Sequence, residues 1–286
     1  MKFAAFSGVL MDHSIQEAMK ITKELGLDGI EIAARDHHLS PTTSRSRLKE
    51  LRTLSEELQL AIPAIASYTG RFSTISDQEA SATFDDFRRL LEAADQLGAT
   101  MIRVLTGGPN AFLAHEYHYA KAAYWLERCA EDAKAYNMDV LVELHNESLV
   151  ETADDALKLL QLVKMDRIGF IHDAGNMYIT DTDYGYESVK KLGKHLKHVH
   201  VKDERRTSDG SEPGAFSNRT HRGIENFVPC LLGKGEADHS ALFESLREIG
   251  YKDWVTLECH TQGSGFERLQ HDFQIAQKLA SGQIPM

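Results

Sequence analysis

Eight short β-rich runs, each followed by a longer stretch of helical periodicity, alternate from one end of this chain to the other. They are KFAAFSG from Lys2, DGIEIA from Asp28, LAIPAIAS from Leu60, TMIRVLT from Thr100, MDVLVELH from Met138, RIGFIHDA from Arg167, LKHVHVKD from Leu196 and DWVTLECH from Asp253. Strands joined through helices run parallel to one another. Eight such units predict an α/β fold, a closed (β/α)8 TIM barrel, for which roughly 250 residues is the usual length. The 286 residues show no break in composition, so residues 1–286 are expected to form one domain. An open doubly wound sheet would place a glycine-rich phosphate turn after its first strand; SGVLMDHS stands there instead. Helix punctuation agrees with the barrel. Ser14 and Glu17 have the spacing of a capping box, and Gly26, Gly98 and Gly250 sit where helix C-termini take a left-handed residue.

One segment interrupts the alternation. From Glu204 to Ala237, after the seventh strand, the sequence is polar and rich in Gly and Pro. A loop of that length inside a compact domain is most often a lid or a binding loop. It is expected to cover the barrel mouth and to bring Arg205 or Arg206 to the substrate, the alternative being an insertion used for contacts in a homo-oligomer.

Composition narrows the function classes. The net charge of −11 leaves no broad basic face for a nucleic-acid backbone. No apolar run approaches the ~18 residues that a membrane span needs, and the N-terminus reads as a first strand without a signal-peptide cleavage site. Cys129, Cys230 and Cys259 are odd in number and scattered, without a C-x-x-C pair, so they read as small hydrophobes in a reduced, cytoplasmic protein.

Parity along the later strands locates the chemistry. Alternate strand residues face the barrel interior and the helices. Leu141, Glu143 and His145 oppose Val140, Val142 and Leu144, and Asp173 shares parity with Gly169 and Ile171. His198, His200 and Lys202 oppose Val199 and Val201, while Thr256, Glu258 and His260 oppose Val255, Leu257 and Cys259. The apolar set must meet the helices, so the polar set looks inward. Glu143, Asp173, His200 and Glu258 then converge at the ends of four strands. Three carboxylates there repel one another unless a cation intervenes. One divalent ion is expected, Mn²⁺ or Mg²⁺ from the oxygen-rich donor set, with Co²⁺ or Zn²⁺ as alternatives. An ion-pair network using only Lys202 and Arg103 would leave the acids in excess.

The runs VELHN, FIHDAGN, HVHVKD, LGKGEAD and WVTLECH, in this order, resemble the xylose-isomerase-like barrel superfamily of sugar isomerases and epimerases over essentially the whole chain. The resemblance implies that Glu143, Asp173, His200 and Glu258 are the metal ligands, and that Glu143 and Glu258 serve as acid and base in ketose epimerases. It is partial at two places. Asn176 stands where those epimerases have a histidine, and Arg205 or Arg206 matches their substrate arginine only loosely. The Glu143/His145 pair followed by NESLVET instead resembles the related dehydratases of 3-dehydroshikimate or keto-inositols, in which His145 would move the proton. The endonuclease branch needs further histidines at strand ends occupied here by Ser67, Tyr68, Leu105 and Thr106.

The expected function is therefore a metal-dependent isomerase or epimerase of a small keto-sugar or sugar acid, with a dehydratase as the alternative and a non-catalytic binding barrel less favoured. Its partner is a small polyhydroxy substrate. Glu31 and Arg103 have interior parity and are expected to pair or to orient substrate. Lys202 balances the acids or meets a substrate oxygen, and His260 and Asn176 are further candidate contacts. His198 and His172 read as core, and His37, His38, His115 and His118 as mostly solvated. Gly263 and Gly265 are helix-entry glycines or a phosphate cradle at the last helix.

Overall fold

The structure, a computed structural model, describes residues 1–283. Eight parallel strands close in the order β1 (Lys2–Phe6), β11 (Trp254–Leu257), β7 (Leu196–Val201), β6 (Ile168–Asp173), β5 (Asp139–Glu143), β4 (Met101–Leu105), β3 (Ala64–Gly70) and β2 (Gly29–Ala33). Each strand matches one of the β-rich runs. The outward residues Val140, Val142, Leu144, Val199, Val201, Val255 and Leu257 join the large core between sheet and helices. Inside the barrel, Ala64, Met101, Leu141 and Ile171 form a separate plug. Two residues along β5 and β6 from Leu141 and Ile171 come Glu143 and Asp173, so the period-2 pattern changes from hydrocarbon to charge as the strands approach the mouth.

Local signals act as expected. Glu17 Oε2 accepts from Ser14 N–H at 2.8 Å while Ser14 Oγ accepts from Glu17 N–H, opening the helix Ile15–Glu24. The helix Asp77–Leu97 ends on Gly98 at φ +78°. Some strand limits differ from the sequence reading. Pro63 has no N–H to give a ladder, so β3 starts at Ala64 rather than near Leu60. At the other side, β5 stops at Glu143, and His145 N–H turns to Val150 O at 2.9 Å instead of extending the sheet. The last strand likewise stops at Leu257, short of His260.

The long segment after β7 is not irregular. It folds as a three-stranded antiparallel sheet in the order β8 (Asp203–Thr207), β10 (Gly223–Cys230) and β9 (Phe216–Thr220). Lys202 alone separates β7 from β8. The return of this sheet to the barrel is fixed by Asp203, which is 1% exposed and accepts from the N–H groups of Gly233 (2.8 Å), Gly235 (2.9 Å) and Ala237 (3.2 Å). A Cβ on Gly235 would fall 2.2 Å from Asp203 Oδ1, so only glycine admits the carboxylate. The final aspartate of HVHVKD thus holds the LGKGEAD turn. Gly265 opens the helix Gly265–Ala280 where a Cβ would meet Val9 O at 2.6 Å, which is a close-packing role.

Removing the Asp203 carboxylate leaves one buried and two part-buried amides without their acceptor, an unsatisfied buried group costing about 1–3 kcal/mol. Asp203→Ala should therefore destabilise the protein by about 3–5 kcal/mol, and Asp203→Asn by about half of that, in urea unfolding followed by tryptophan fluorescence. A loss below about 1 kcal/mol for Asp203→Ala would show that the turn is held by other means.

Candidate metal centre and active site

Glu143, Asp173, His200 and Glu258 reach one point from β5, β6, β7 and the residue after β11, all buried. One donor atom from each lies within 4.8 Å of all the others. Asp173 pairs directly with His200, Glu143 pairs with Ile171 two residues before Asp173, and Glu258 stands two residues beyond Thr256, the partner of His200, so the side chains converge across the strand stagger. His200 presents Nδ1 to Glu258 Oε2 (3.1 Å) and Glu143 Oε1 (3.6 Å), and Nε2 to Glu31 Oε2 (3.0 Å). A ring with one nitrogen toward the cluster and the other N–H on a carboxylate is the arrangement that orients a metal-ligating histidine.

The charges present test whether a cation fits. Glu31, Glu143, Asp173 and Glu258 are four buried carboxylates facing two permanent cations, Arg103 and Lys202. Two negative charges remain. Arg103 Nη1 donates to Glu143 Oε2 at 2.5 Å. Burial favours the protonated form of Glu143, but Arg103 and His200 hold its carboxyl well below the usual range. Glu258 behaves alike, burial being overcome by Lys202 and His200. Asp173 does not: burial raises its carboxyl, and Glu143 and Glu258 add to the effect against Lys202. Lys202 Nζ lies 2.9 Å from Asp173 Oδ2, yet that oxygen has no partner with hydrogen-bond geometry. Burial opposes a charge on His200 too, but Glu31 and the other acids raise it well above its ordinary value. In the bare protein His200 thus takes up a proton that offsets the acids. A divalent ion offsets both charges, leaves the imidazole neutral and gives Asp173 Oδ2 a partner, so the donor set fits such an ion.

Above the cluster opens a cavity of about 820 Å³ at the C-terminal ends of the strands, the usual place for a barrel enzyme's site. Glu143, His145, Asn176, Lys202, Glu258 and His260 line it. His260 Nε2 is 3.2 Å from Glu258 Oε1. Asn176 follows Asp173 on the short helix Ala174–Ile179 and donates from Nδ2 to Glu143 Oε1 (3.1 Å) and Leu144 O (3.2 Å), so it braces a cluster carboxylate.

Other expected residues fall elsewhere. Glu31 does not pair with Arg103. It binds His198 (2.8 Å) and His200, because those rings hang from β7 across the barrel axis from β2. Arg205 and Arg206 do not line the cavity. Arg205 is tied to Glu212 at 2.5 Å, and Arg206 lies over Tyr178 (5.2 Å) and Phe227 (5.7 Å) between Asp181 and Glu225. Glu204, Phe216 and Pro229 are what the inserted sheet adds to the cavity wall. His38 is not solvated: it is buried with contacts to Ser7 Oγ and His13 O, both at 3.0 Å, and His118 caps its own helix at His115 N–H.

Sequence parity missed Tyr68, Arg35, Arg71 and Glu204, which also line the cavity. Tyr68 has Arg35 Cζ 4.2 Å and Arg103 Cζ 5.0 Å from its ring centre. Burial pushes the Glu204 carboxyl up to about 8 against the pull of Lys202, and its Oε2 has no hydrogen-bond partner. The interior polarity of Glu204 was visible in the sequence only as part of a presumed loop.

The match with known proteins follows the geometry. A curated relative, the fructoselysine 3-epimerase of Escherichia coli O157:H7, is 24% identical over 263 residues, covering 89% of each chain. The inosose dehydratase of Lacticaseibacillus casei is 24% identical over 228 residues, covering 73% of this chain and 74% of its own. The solved structure of the IOLI protein with a binding zinc atom superposes with a TM-score of 0.79 over 100% of both chains at 18% identity, a likeness of fold. The sequence pattern of the xylose isomerase-like TIM barrel family matches residues 19–279, so this protein belongs to that family.

Proposed function

We propose that the protein uses one divalent ion, held by Glu143, Asp173, His200 and Glu258, to act on a small polyhydroxy ketone. His145 removes the proton next to the carbonyl, and loss of a hydroxyl group completes the reaction. The observation that carries this reading is the contrast between Glu143 and His145. Both Glu143 oxygens are engaged, Oε2 by Arg103 and Oε1 by Asn176, which leaves it little capacity as a base. His145 lines the cavity with its Nδ1 2.6 Å from Asn146 O. A carbonyl only accepts, so Nδ1 donates to it and Nε2 is the nitrogen left to act as the base.

A divalent ion at this cluster polarises a substrate carbonyl or hydroxyl. Around it Lys202 and Arg103 present positive charge where negative charge gathers on the substrate oxygen. His145 Nε2 takes the proton, and the C–H electron pair becomes the new C=C bond. The hydroxyl on the adjacent carbon leaves, takes the proton from the imidazolium and departs as water. The inosose dehydratase relative supports this outcome.

Epimerisation is the second reading, supported by the 3-epimerase relative, whose match spans 89% of this chain. In that case Glu258 and Glu143 would exchange the proton on opposite faces, and His145 would only bind a hydroxyl.

Two measurements test this proposal. Elemental analysis should find about one divalent ion per chain, lowered at least tenfold in occupancy by Asp173→Ala; two or three ions per chain would contradict the four-ligand site. Steady-state kinetics should then show His145→Gln reducing kcat by roughly 10²–10⁴ with metal retained, as for a lost general base. A reduction below about tenfold, the size of one lost hydrogen bond, beside near-abolition by Glu258→Gln would favour epimerisation instead.

A further inference from the structure

The cavity walls differ in charge. The turn after β5 contributes Glu147, whereas the loops after β2 and β3 contribute Arg35 and Arg71. The deeper cations are already engaged, Arg103 by Glu143 and Lys202 by Asp173 and Glu258. Among the described residues, neither the Arg35 nor the Arg71 guanidinium has a salt bridge or a hydrogen bond to a protein acceptor. We propose that Arg35 and Arg71 form a subsite for an anionic group at the far end of the substrate, making it a sugar acid or a sugar phosphate. This rests on the reading of the cavity as a polyhydroxy-ketone site.

Both arginines stand on anchored backbone. Arg35 O accepts from His38 N–H (3.1 Å) and Leu39 N–H (3.0 Å), and its guanidinium stacks on Tyr68. Arg71 N–H donates to Leu105 O at 2.7 Å, and Arg71 O accepts from Thr74 N–H at 3.2 Å. A Cβ on Gly107 would sit 2.8 Å from the Arg71 carbonyl, so that glycine lets the loop after β4 pack directly on the arginine. The Arg35 guanidinium, stacked on Tyr68, loses little freedom on binding, and both guanidinium groups match the two oxygens of a carboxylate or phosphate. Tyr68 touches both Arg35 and Arg103, and Arg103 binds Glu143. Arg35 is therefore separated from the acid cluster by the Tyr68 ring and the Arg103 guanidinium, a separation suited to a short carbon chain with its carbonyl at one end and its charge at the other. In a chain of net charge −11, Arg35 and Arg71 make this one wall of the mouth positive.

Calorimetric titration of the metal-loaded protein with D-fructose, D-fructose 6-phosphate and 5-keto-D-gluconate tests the subsite in the wild type and in the Arg35→Gln/Arg71→Gln double variant. One of the anionic ligands should bind the wild type about 10–100-fold more tightly than D-fructose, an advantage that shrinks with added salt. In the double variant the advantage of the anionic ligand over D-fructose should fall below about threefold, with metal stoichiometry unchanged. Preference for the phosphate or for the gluconate identifies which anion the rim takes. Inorganic phosphate alone should bind the wild type and lose that binding in the double variant. D-fructose binding as tightly as its anionic counterparts, or phosphate binding that persists in the double variant, overturns the subsite. Arginine-dependent phosphate binding with no binding of any of the three sugars supports the subsite and instead removes the keto-sugar reading.

Discussion

Carboxylates enclosed by hydrocarbon repel one another and lack water to spread their charge, and most of what surrounds the mouth of this barrel answers that constraint. Arg103 closes on Glu143, Lys202 reaches toward Asp173 and Glu258, and Asn176 gives its amide to Glu143. Glu31 belongs to the same arrangement. It adds a negative charge, yet it fixes both His198 and His200, and a fixed His200 keeps Nδ1 on the cluster. The hydrocarbon plug of Leu141 and Ile171 beneath closes the floor, so the polar layer meets solvent only through the cavity.

The parts of this arrangement set by strand periodicity were legible in the sequence. Alternation alone assigns Glu143, Asp173, His200 and Glu258 to the inner face, because a residue cannot change faces without shifting the whole strand. Partners across the barrel were not legible. Whether Glu31 meets Arg103 or the histidines of β7 depends on strand stagger, which no local pattern encodes. His145 shows the same limit differently: it was assigned by extrapolating β5, but it reaches the cavity from a turn held by Val150 and Ser148. The inserted sheet is the clearest case. Its polar composition reads as loop, and its strands combine pairing with each other and one small apolar face, Phe216 and Phe227 packed on Tyr178 and Ile179. Arg205 and Arg206 are neighbours of the barrel in sequence, yet the pairing of β8 with β10 carries their side chains to Glu212 and Tyr178.

Epimerases and dehydratases within one family can share a scaffold because both need the same opening event, an acidified C–H beside a polarised oxygen. What separates them is which nearby group is free to accept a proton, and that is decided by hydrogen bonds to the acids and the imidazole. Here Arg103 and Asn176 occupy Glu143, while Asn146 fixes only one nitrogen of His145. Small changes in such partners redirect chemistry without altering the barrel.

The Asp203 clamp has an evolutionary consequence. Because the insert leaves the barrel at Lys202 and is captured again at Gly233–Ala237 by one carboxylate, the chain between those points pairs with none of the eight barrel strands and meets the turn after β5 through Asn218, which accepts from Asn146, and Arg219, whose N–H donates to Glu147. Its length can drift at small entropic cost, since loop closure depends only weakly on residue number. Phe216 and Pro229, which the insert lends to the cavity wall, can then be exchanged through recombination or indels while the charged layer stays intact. The segment is an exchangeable cassette: a lineage can explore new substrate shapes there without risking the chemistry below.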